Sequence, residues 1–309
     1  KFFAQKGAWI TVTDLRSAKI LQPSLKKLSG LKNIKYVLGL HNPKDFSSAD
    51  FILKGPGVKP NSKYLAGARK LRIPILNDIA IFLAECPAKI IGVTGTRGKS
   101  TAAVLIWKLL QTKFKRVWLA GNIRKSVFDL LQKTRPKDWV VLELSSFQLQ
   151  DLADSNLKSL GRPEIAAITN LYKDHLNWHG NFKNYTRAKS YLTYFQNKSN
   201  YLFLGSADKN LKRISQISRA RIFFSNLSPN LKKTVVRNLG SHYVSSVAPA
   251  VEIAKILGVG QKSIKKVLDN FRGLQGRQEK ITEIKGVKFI NDTTSTVPEA
   301  TVAALERFC

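Results

Sequence analysis

The sequence contains no methionine, only two cysteines and four histidines, and 20 acids against 52 lysines and arginines. Each shortage excludes something. Cys86 and Cys309 are too few for a disulfide framework or a cysteine-based zinc site, which fits a reducing, cytoplasmic setting. No apolar run approaches the roughly 20 residues that a membrane span needs, and the first residues show no signal-peptide layout, so no membrane partner is expected. Low-complexity tracts and internal repeats are also missing. Without methionine the chain lacks even an initiator. It opens on KFFAQKGA, which reads as the back half of a helix, and stops at LERFC inside another, so a fragment truncated at both ends is expected. The scarcity of acids leaves a formal net charge of +32, which invites a nucleic-acid reading. The lysines, however, are scattered over nearly every element, and no aromatic-interleaved RNA-binding motif accompanies them. No dedicated nucleic-acid partner is expected, although the field should draw in anionic nucleotides.

What the chain does have is a globular residue mix, length enough for two or three domains, and one organising stretch, Ile90–Thr101, reading IIGVTGTRGKST. An apolar run passes into a glycine turn with Gly95 and Gly98, then into Lys99, Ser100 and Thr101, which open the helical pattern AAVLIWKLL. Strand, glycine turn, Lys-Ser-Thr and helix make a phosphate cradle. The glycines let backbone N–H groups converge on an anion, the helix start adds its dipole, Lys99 meets phosphate oxygens, and Ser100 can hold Mg²⁺. The strict P-loop pattern has glycine where Val93 stands, so TGTRGKST is a variant of it.

Upstream, Ala8–Asp14 reads as a strand ending in an acid. Asp14 is placed either to accept from a ribose or base or to serve as a helix cap or turn residue; Arg16 is placed to meet a phosphate or solvent. Short strands come next at Tyr36–Leu40, Phe51–Leu53 and Ile73–Leu76, then a connector helix over Ile79–Cys86 and a boundary at Pro87. Beyond the glycine turn, strands are expected at Val117–Ala120, Trp139–Leu144 and Ile165–Thr169. Glu143 lies inside an apolar strand, a costly position unless it is paired or holds a metal. Ligands in open α/β sheets sit at the strands' carboxyl ends, which puts Glu143 beside the glycine turn as a Mg²⁺-ligand candidate. The third strand runs into NLYKDHLNWHG, where His175 is either a ligand or acid/base or a loop-packing residue. The i,i+4 pair His175/His179 does not match the zinc pattern HExxH. Helices are expected at Tyr185–Phe195, Val244–Leu257 and Ser263–Phe271, and a hairpin at Lys280–Ile284 and Val287–Ile290.

Taken in order, TGTRGKST, ELSSFQL (Glu143–Leu149), DHLNWHG, YTRAK, FRGLQGR and NDTTSTVPEAT resemble the Mur ligases of peptidoglycan synthesis, ATP-dependent amide-forming enzymes. The resemblance covers essentially the whole chain. TGTRGKST is shared with the wider group that includes folylpolyglutamate synthase, whereas ELSSFQL is narrower and points to the D-glutamate-adding branch. The implied fold is α/β: an incomplete Rossmann-like domain binding the UDP-substrate (1–86), a central P-loop-type ATPase domain with a mostly parallel sheet (87–276), and the start of a Rossmann-like, amino-acid-binding domain (277–309). The implied substrates are ATP, UDP-N-acetylmuramoyl-L-alanine and D-glutamate, joined through an acyl-phosphate by a cytoplasmic monomer. Lys99, Glu143, His175 and Lys189 would be catalytic. Gly95, Thr96, Gly98, Lys99, Ser100, Thr101, Arg277 and Asp292 would bind the nucleotide. Asp14, Arg16, Asn122, Ser145 and Gln148 would contact the UDP-sugar substrate. Two Mg²⁺ ions are implied, one on Ser100 and Glu143, the second on His175 and a carbamylated Lys189.

The chain departs from the family at Tyr243 and Ser246, where asparagines that help recognise adenine are usual, and at Thr294, where lysine is common; Thr294 reads as a subtype. Three rival readings are another Mur ligase or folylpolyglutamate synthase, a basic nucleic-acid-binding protein, and a non-catalytic homologue. The 309 residues alone are expected to bind nucleotide weakly at best and not to turn over, because the family's C-terminal domain closes the site.

Overall fold

The computed structural model describes residues 1–123, 126–154, 161–295 and 298–308; Cys309 and residues 296–297 of the NDTTSTV stretch lie outside them. The chain divides into two compact units. The first comprises Lys1–Cys86, Ser126–Lys133 and Gln150–Leu160, the second Pro87–Lys125, Thr134–Leu149 and Gly161–Cys309. Among the described residues, no helix is long and apolar enough to cross a membrane.

In the first unit the β-branched segments β1 (Ile10–Asp14) and β2 (Ile34–Leu38) pair in parallel, as do the short β3 (Ile52–Leu53) and β4 (Ile75–Leu76). Parallel neighbours need a crossover, and the helices Ala18–Lys26 and Ala66–Lys70 lie in the two connections. Phe46, Leu65 and Ala68 form a small core, with Ile52 and Ile75 of the β3–β4 pair packed against it. The helix Asp78–Glu85 starts where the Asn77 side chain accepts from Ala80 N, and it ends just before Pro87.

The second unit carries six parallel strands: β5 (Lys89–Thr94), β6 (Val117–Gly121), β7 (Trp139–Glu143), β8 (Ile165–Ile168), β9 (Tyr201–Leu204) and β10 (Arg221–Phe224). Their spatial order is β10-β9-β8-β5-β7-β6. The central strands are buried along their length, which is why they read as continuous apolar runs instead of alternating ones. The helix Lys99–Gln111 lays Ala102, Ala103, Leu105, Ile106, Leu109 and Leu110 into the core, and the helix Val244–Ile256 packs against it. From β5 the chain crosses toward β6, on the β7 side; from β8 it crosses the other way, toward β9. Neighbours β5 and β8 therefore flank the switch point at which open α/β sheets form a crevice beyond their carboxyl ends. The later strands β11 (Glu279–Ile284) and β12 (Val287–Asn291) pair only with each other, antiparallel.

Candidate functional site

The turn after β5 opens into the switch-point crevice. Gly95 and Gly98 take φ of 142° and 72°, values that L side chains rarely adopt. A Cβ on Gly95 would run into Thr169 Oγ1, and one on Gly98 into Ser246 Oγ, so the backbone passes where no side chain fits. Gly98 caps the helix Lys99–Gln111, whose first N–H groups lack intrahelical acceptors and face the turn. Thr96, Ser100 and Thr101 are buried here, and Lys99 Nζ folds back to donate to Thr96 O at 2.9 Å. Desolvation lowers the Lys99 pKa, Glu143 and Asp174 pull the other way, and Arg277 and Arg97 add to the lowering.

Glu143 ends β7, opposite Val93 of β5 and Gly121 of β6. It is 2% exposed; Oε1 accepts from Asn122 Nδ2 at 3.2 Å, while Oε2 has no partner. Lys189, on the helix Phe182–Tyr194, is 1% exposed. Its ammonium reaches the Thr94 hydroxyl at 3.4 Å and lies 4.8 Å from the Tyr185 ring centre. Burial pushes the Lys189 pKa well below the ordinary value, and the Lys99 charge pushes the same way against Asp174 and Glu143. Tyr185 joins this group to the turn, its hydroxyl lying 2.9 Å from Thr96 Oγ1.

The two histidines of NLYKDHLNWHG part company. His175 takes a left-handed φ of 50° at the start of the short helix Leu176–His179; its exposed ring has Nε2 3.5 Å from Asp174 and packs against Phe147. His179 is buried, with Nε2 3.0 Å from Ser146 Oγ. Burial first, then the charges of His175 and Lys189, lower its pKa to about 4.

Ser145 and Gln148 form a reciprocal cap on the helix Ser146–Asp154. Ser145 N and Oγ both donate to Gln148 Oε1 at 3.1 Å, and Gln148 N donates to Ser145 Oγ at 3.2 Å. Arg277 Nη2 donates to Ser100 Oγ at 3.1 Å, carrying a cation to the helix start. Asp292 accepts from Gln278 N at 3.1 Å. Asp14 and Arg16 lie in the first unit and satisfy each other, with Arg16 Nε and Nη2 donating to the two carboxylate oxygens at 3.0 and 2.7 Å. That fork, with the Arg16 backbone N–H, draws the Asp14 pKa down to about 2.

Lys99, Ser100, Glu143, Lys189, Asn122 and Arg277 thus gather at one end of the six-stranded sheet, with His175 joined through the Phe147 and Tyr185 rings. Sequence reasoning passed over Thr94, Thr169, Asn170 and Tyr185; the signal available was their position at strand ends and in the motifs already noted. The residues fit a magnesium-bound triphosphate. A buried carboxylate oxygen without a partner is stabilised by a cation, and a glycine cradle at a helix start suits phosphate. Among the described residues no three His, Cys, Asp or Glu side chains gather. Mg²⁺ takes one or two carboxylates and completes its shell with phosphate and water oxygens, a demand that the Glu143 carboxylate can meet.

Residues 93–259 match the family model of the Mur ligase middle domain. The UDP-N-acetylmuramoylalanine–D-glutamate ligase of Roseiflexus sp. (strain RS-1) is 34% identical over 340 residues, covering 100% of this chain and 72% of that protein. The protein of the same name from Borreliella afzelii (strain PKo) is 34% identical over 327 residues, covering 99% and 70%. The solved structure of the MurF ligase of Thermotoga maritima in complex with ADP has a TM-score of 0.54 at 15% identity, covering 85% of this chain and 75% of that one, and shares the fold.

Proposed function

We infer the activity from one premise: this chain belongs to the Mur ligase family. It is an ATP-dependent acid–amino-acid ligase of peptidoglycan precursor synthesis, and its relatives' names give the reaction as joining of D-glutamate to UDP-N-acetylmuramoylalanine. The observation that carries the site reading is the convergence of Lys99, Lys189 and the unpartnered Glu143 oxygen on the glycine turn.

The chemistry runs in two steps. The terminal carboxylate of the UDP-substrate attacks the γ-phosphorus of ATP; an O–P bond forms, the bond to ADP breaks, and an acyl-phosphate results. The amine of D-glutamate then attacks the acyl carbon, phosphate leaves, and the amide forms. Little covalent help is needed from the protein, so positioning and charge neutralisation carry the acceleration. Lys99 and the first N–H groups of its helix bind the β- and γ-phosphates, with Gly95, Thr96, Gly98 and Thr101 shaping the cradle. Arg277 neutralises charge beside Ser100, and Asp292 orients the Gln278 segment near the nucleotide.

Ser100 and Glu143 are suited to hold one Mg²⁺ and His175 with Lys189 a second, ions that would neutralise the phosphates during transfer. Lys189 meets the requirement for carbamylation, since its buried amine loses its proton easily. The amine nitrogen adds to CO₂, a proton leaves to solvent, and an anionic oxygen ligand replaces an ammonium. Asn122, Ser145 and Gln148 would face the muramoyl part and Asp14 with Arg16 the uridine diphosphate. Residues 277–309, whose hairpin pairs only with itself, would begin an amino-acid-binding domain. An ATP-consuming ligase of this kind would work in the cytoplasm.

The test is an assay of the protein carrying this chain with Mg-ATP, UDP-N-acetylmuramoyl-L-alanine and D-glutamate. Phosphate release coupled to a UDP-linked dipeptide is expected. Release with folate and glutamate, but not with the UDP-substrate, would contradict the assignment and favour the folylpolyglutamate synthase branch.

A further inference from the structure

The residues just after β8 hold the phosphate turn, and none of the roles assigned above covers them. Because β5 and β8 are paired neighbours, the turn after one and the segment after the other leave the sheet side by side. Their ladder continues past the strands: Thr169 N donates to Thr94 O at 3.0 Å, and Thr96 N donates to Asn170 O at 2.9 Å. The Asn170 side chain, 3% exposed, then takes both backbone groups of Arg97. Oδ1 accepts from Arg97 N at 2.9 Å, and Nδ2 donates to Arg97 O at 3.1 Å and to Ser245 Oγ at 3.3 Å. Only this amide orientation works, since the flipped one would set donor against donor and acceptor against acceptor. Thr169 Oγ1 adds a bond to Arg97 O at 2.7 Å, and the same oxygen occupies the space a Cβ on Gly95 would need.

We propose that Asn170, backed by Thr169, is a positioning residue that locks the Gly95–Gly98 turn in its phosphate-binding shape before nucleotide arrives. The bonds have a directional consequence. With two side-chain donors on it, the Arg97 carbonyl is kept from swinging its negative end toward the helix start where the anion binds. With its backbone N–H spent on Asn170, Arg97 contributes no main-chain donor, and the main-chain contacts to phosphate are left to the first N–H groups of the helix that Lys99 opens. A preformed cradle does not spend binding energy on ordering the turn, so the residue acts on nucleotide affinity while touching no substrate.

This inference rests on the ligase reading above, and the test separates the two. The natural protein carrying this chain and its Asn170→Ala, Asn170→Asp and Thr169→Val variants are titrated with Mg-ATP, with amide exchange at Arg97 and the thermal midpoint monitored alongside. Two lost hydrogen bonds at about 1 kcal/mol each predict an affinity about 10- to 50-fold weaker for Asn170→Ala. Asn170→Asp should lose at least as much, because a carboxylate oxygen would oppose the Arg97 carbonyl and add negative charge beside the phosphates. Thr169→Val, nearly isosteric, should lose about 3- to 10-fold. Exchange at Arg97 N–H should speed up in the nucleotide-free Asn170 variants, which a general loss of stability would not do selectively. In the natural protein, KM for ATP should rise more than kcat falls. Unchanged affinity in variants of a chain that binds Mg-ATP overturns the proposal and leaves the ligase reading standing; a wild-type chain that binds no Mg-ATP overturns both. Should the Asn170 variants fail to fold, Thr169→Val at the wild-type thermal midpoint decides, and unchanged affinity there counts against the proposal.

Discussion

In the first unit Lys54 and Asp151 have side chains 5% exposed each and meet at 2.8 Å, with Lys54 Nζ also donating to Val58 O at 2.6 Å. In the second unit Lys189 and Glu143 are as deeply buried, yet Lys189 reaches only a hydroxyl at 3.4 Å and a Glu143 oxygen has no partner. The same two chemical groups, an ammonium and a carboxylate, do different work. A closed pair neutralises itself and holds local structure. An open pair keeps its desolvation cost until a ligand of the right charge arrives, which is the pattern expected of a binding site. Burial alone would not have told the two apart; the partners do.

Breaking the closed pair should have the largest effect on stability. Asp151→Asn strands a buried ammonium, and a loss of about 3–5 kcal/mol is expected in denaturant unfolding, with Mg-ATP affinity of the folded fraction kept within about twofold. The double replacement Lys54→Met with Asp151→Leu should recover most of that loss, as apolar substitutes for buried pairs often do. Glu143→Gln should do the reverse. Mg-ATP affinity is expected to fall about 10- to 100-fold, while the thermal midpoint holds or rises because a buried carboxylate with one unpartnered oxygen has been replaced by a neutral amide. A lower midpoint with intact affinity would make Glu143 a structural acid.

His179 sharpens the contrast through pH. Folded, it keeps its proton only below about 4, against an ordinary value of 6.5. Between those values the unfolded chain binds more protons, so stability should decrease as the pH falls from 6.5 toward 4. His179→Gln should flatten that part of the profile, read by unfolding at a series of pH values. The smallest effect belongs to the exposed Arg16–Asp14 fork. Arg16→Ala should leave stability almost unchanged, and less affected still in high salt, as solvent already screens the pair. A larger change would mean that the fork props β1.

Much of this was legible in the chain itself. Strands β5, β7 and β8 are buried apolar runs bounded by turn residues, and the glycine turn with Lys-Ser-Thr fell between a strand and a helix as read. Glu143 stood out because an acid inside an apolar strand demands a reason. Other features depend on adjacency that no local pattern encodes. Asn170 lies 73 residues from Arg97 and meets it only because β8 settles beside β5. His175 and His179 are four apart in the chain, but the left-handed backbone at His175 puts it outside the helix Leu176–His179 and leaves one ring exposed and the other buried. Ser145 and Gln148 carry the S-x-x-Q spacing of a reciprocal cap, which the family comparison overshadowed.

The central claim is that Lys99, Ser100 and Glu143 converge to hold a magnesium-bound triphosphate. A crystal structure of the chain with Mg²⁺ and a non-hydrolysable ATP analogue tests it most directly. The account predicts β- and γ-phosphates against Lys99 and the start of its helix, with the metal bridging them to Ser100 and to the oxygen of Glu143 that now lacks a partner. Nucleotide bound elsewhere, or a metal that leaves Glu143 untouched, would contradict it.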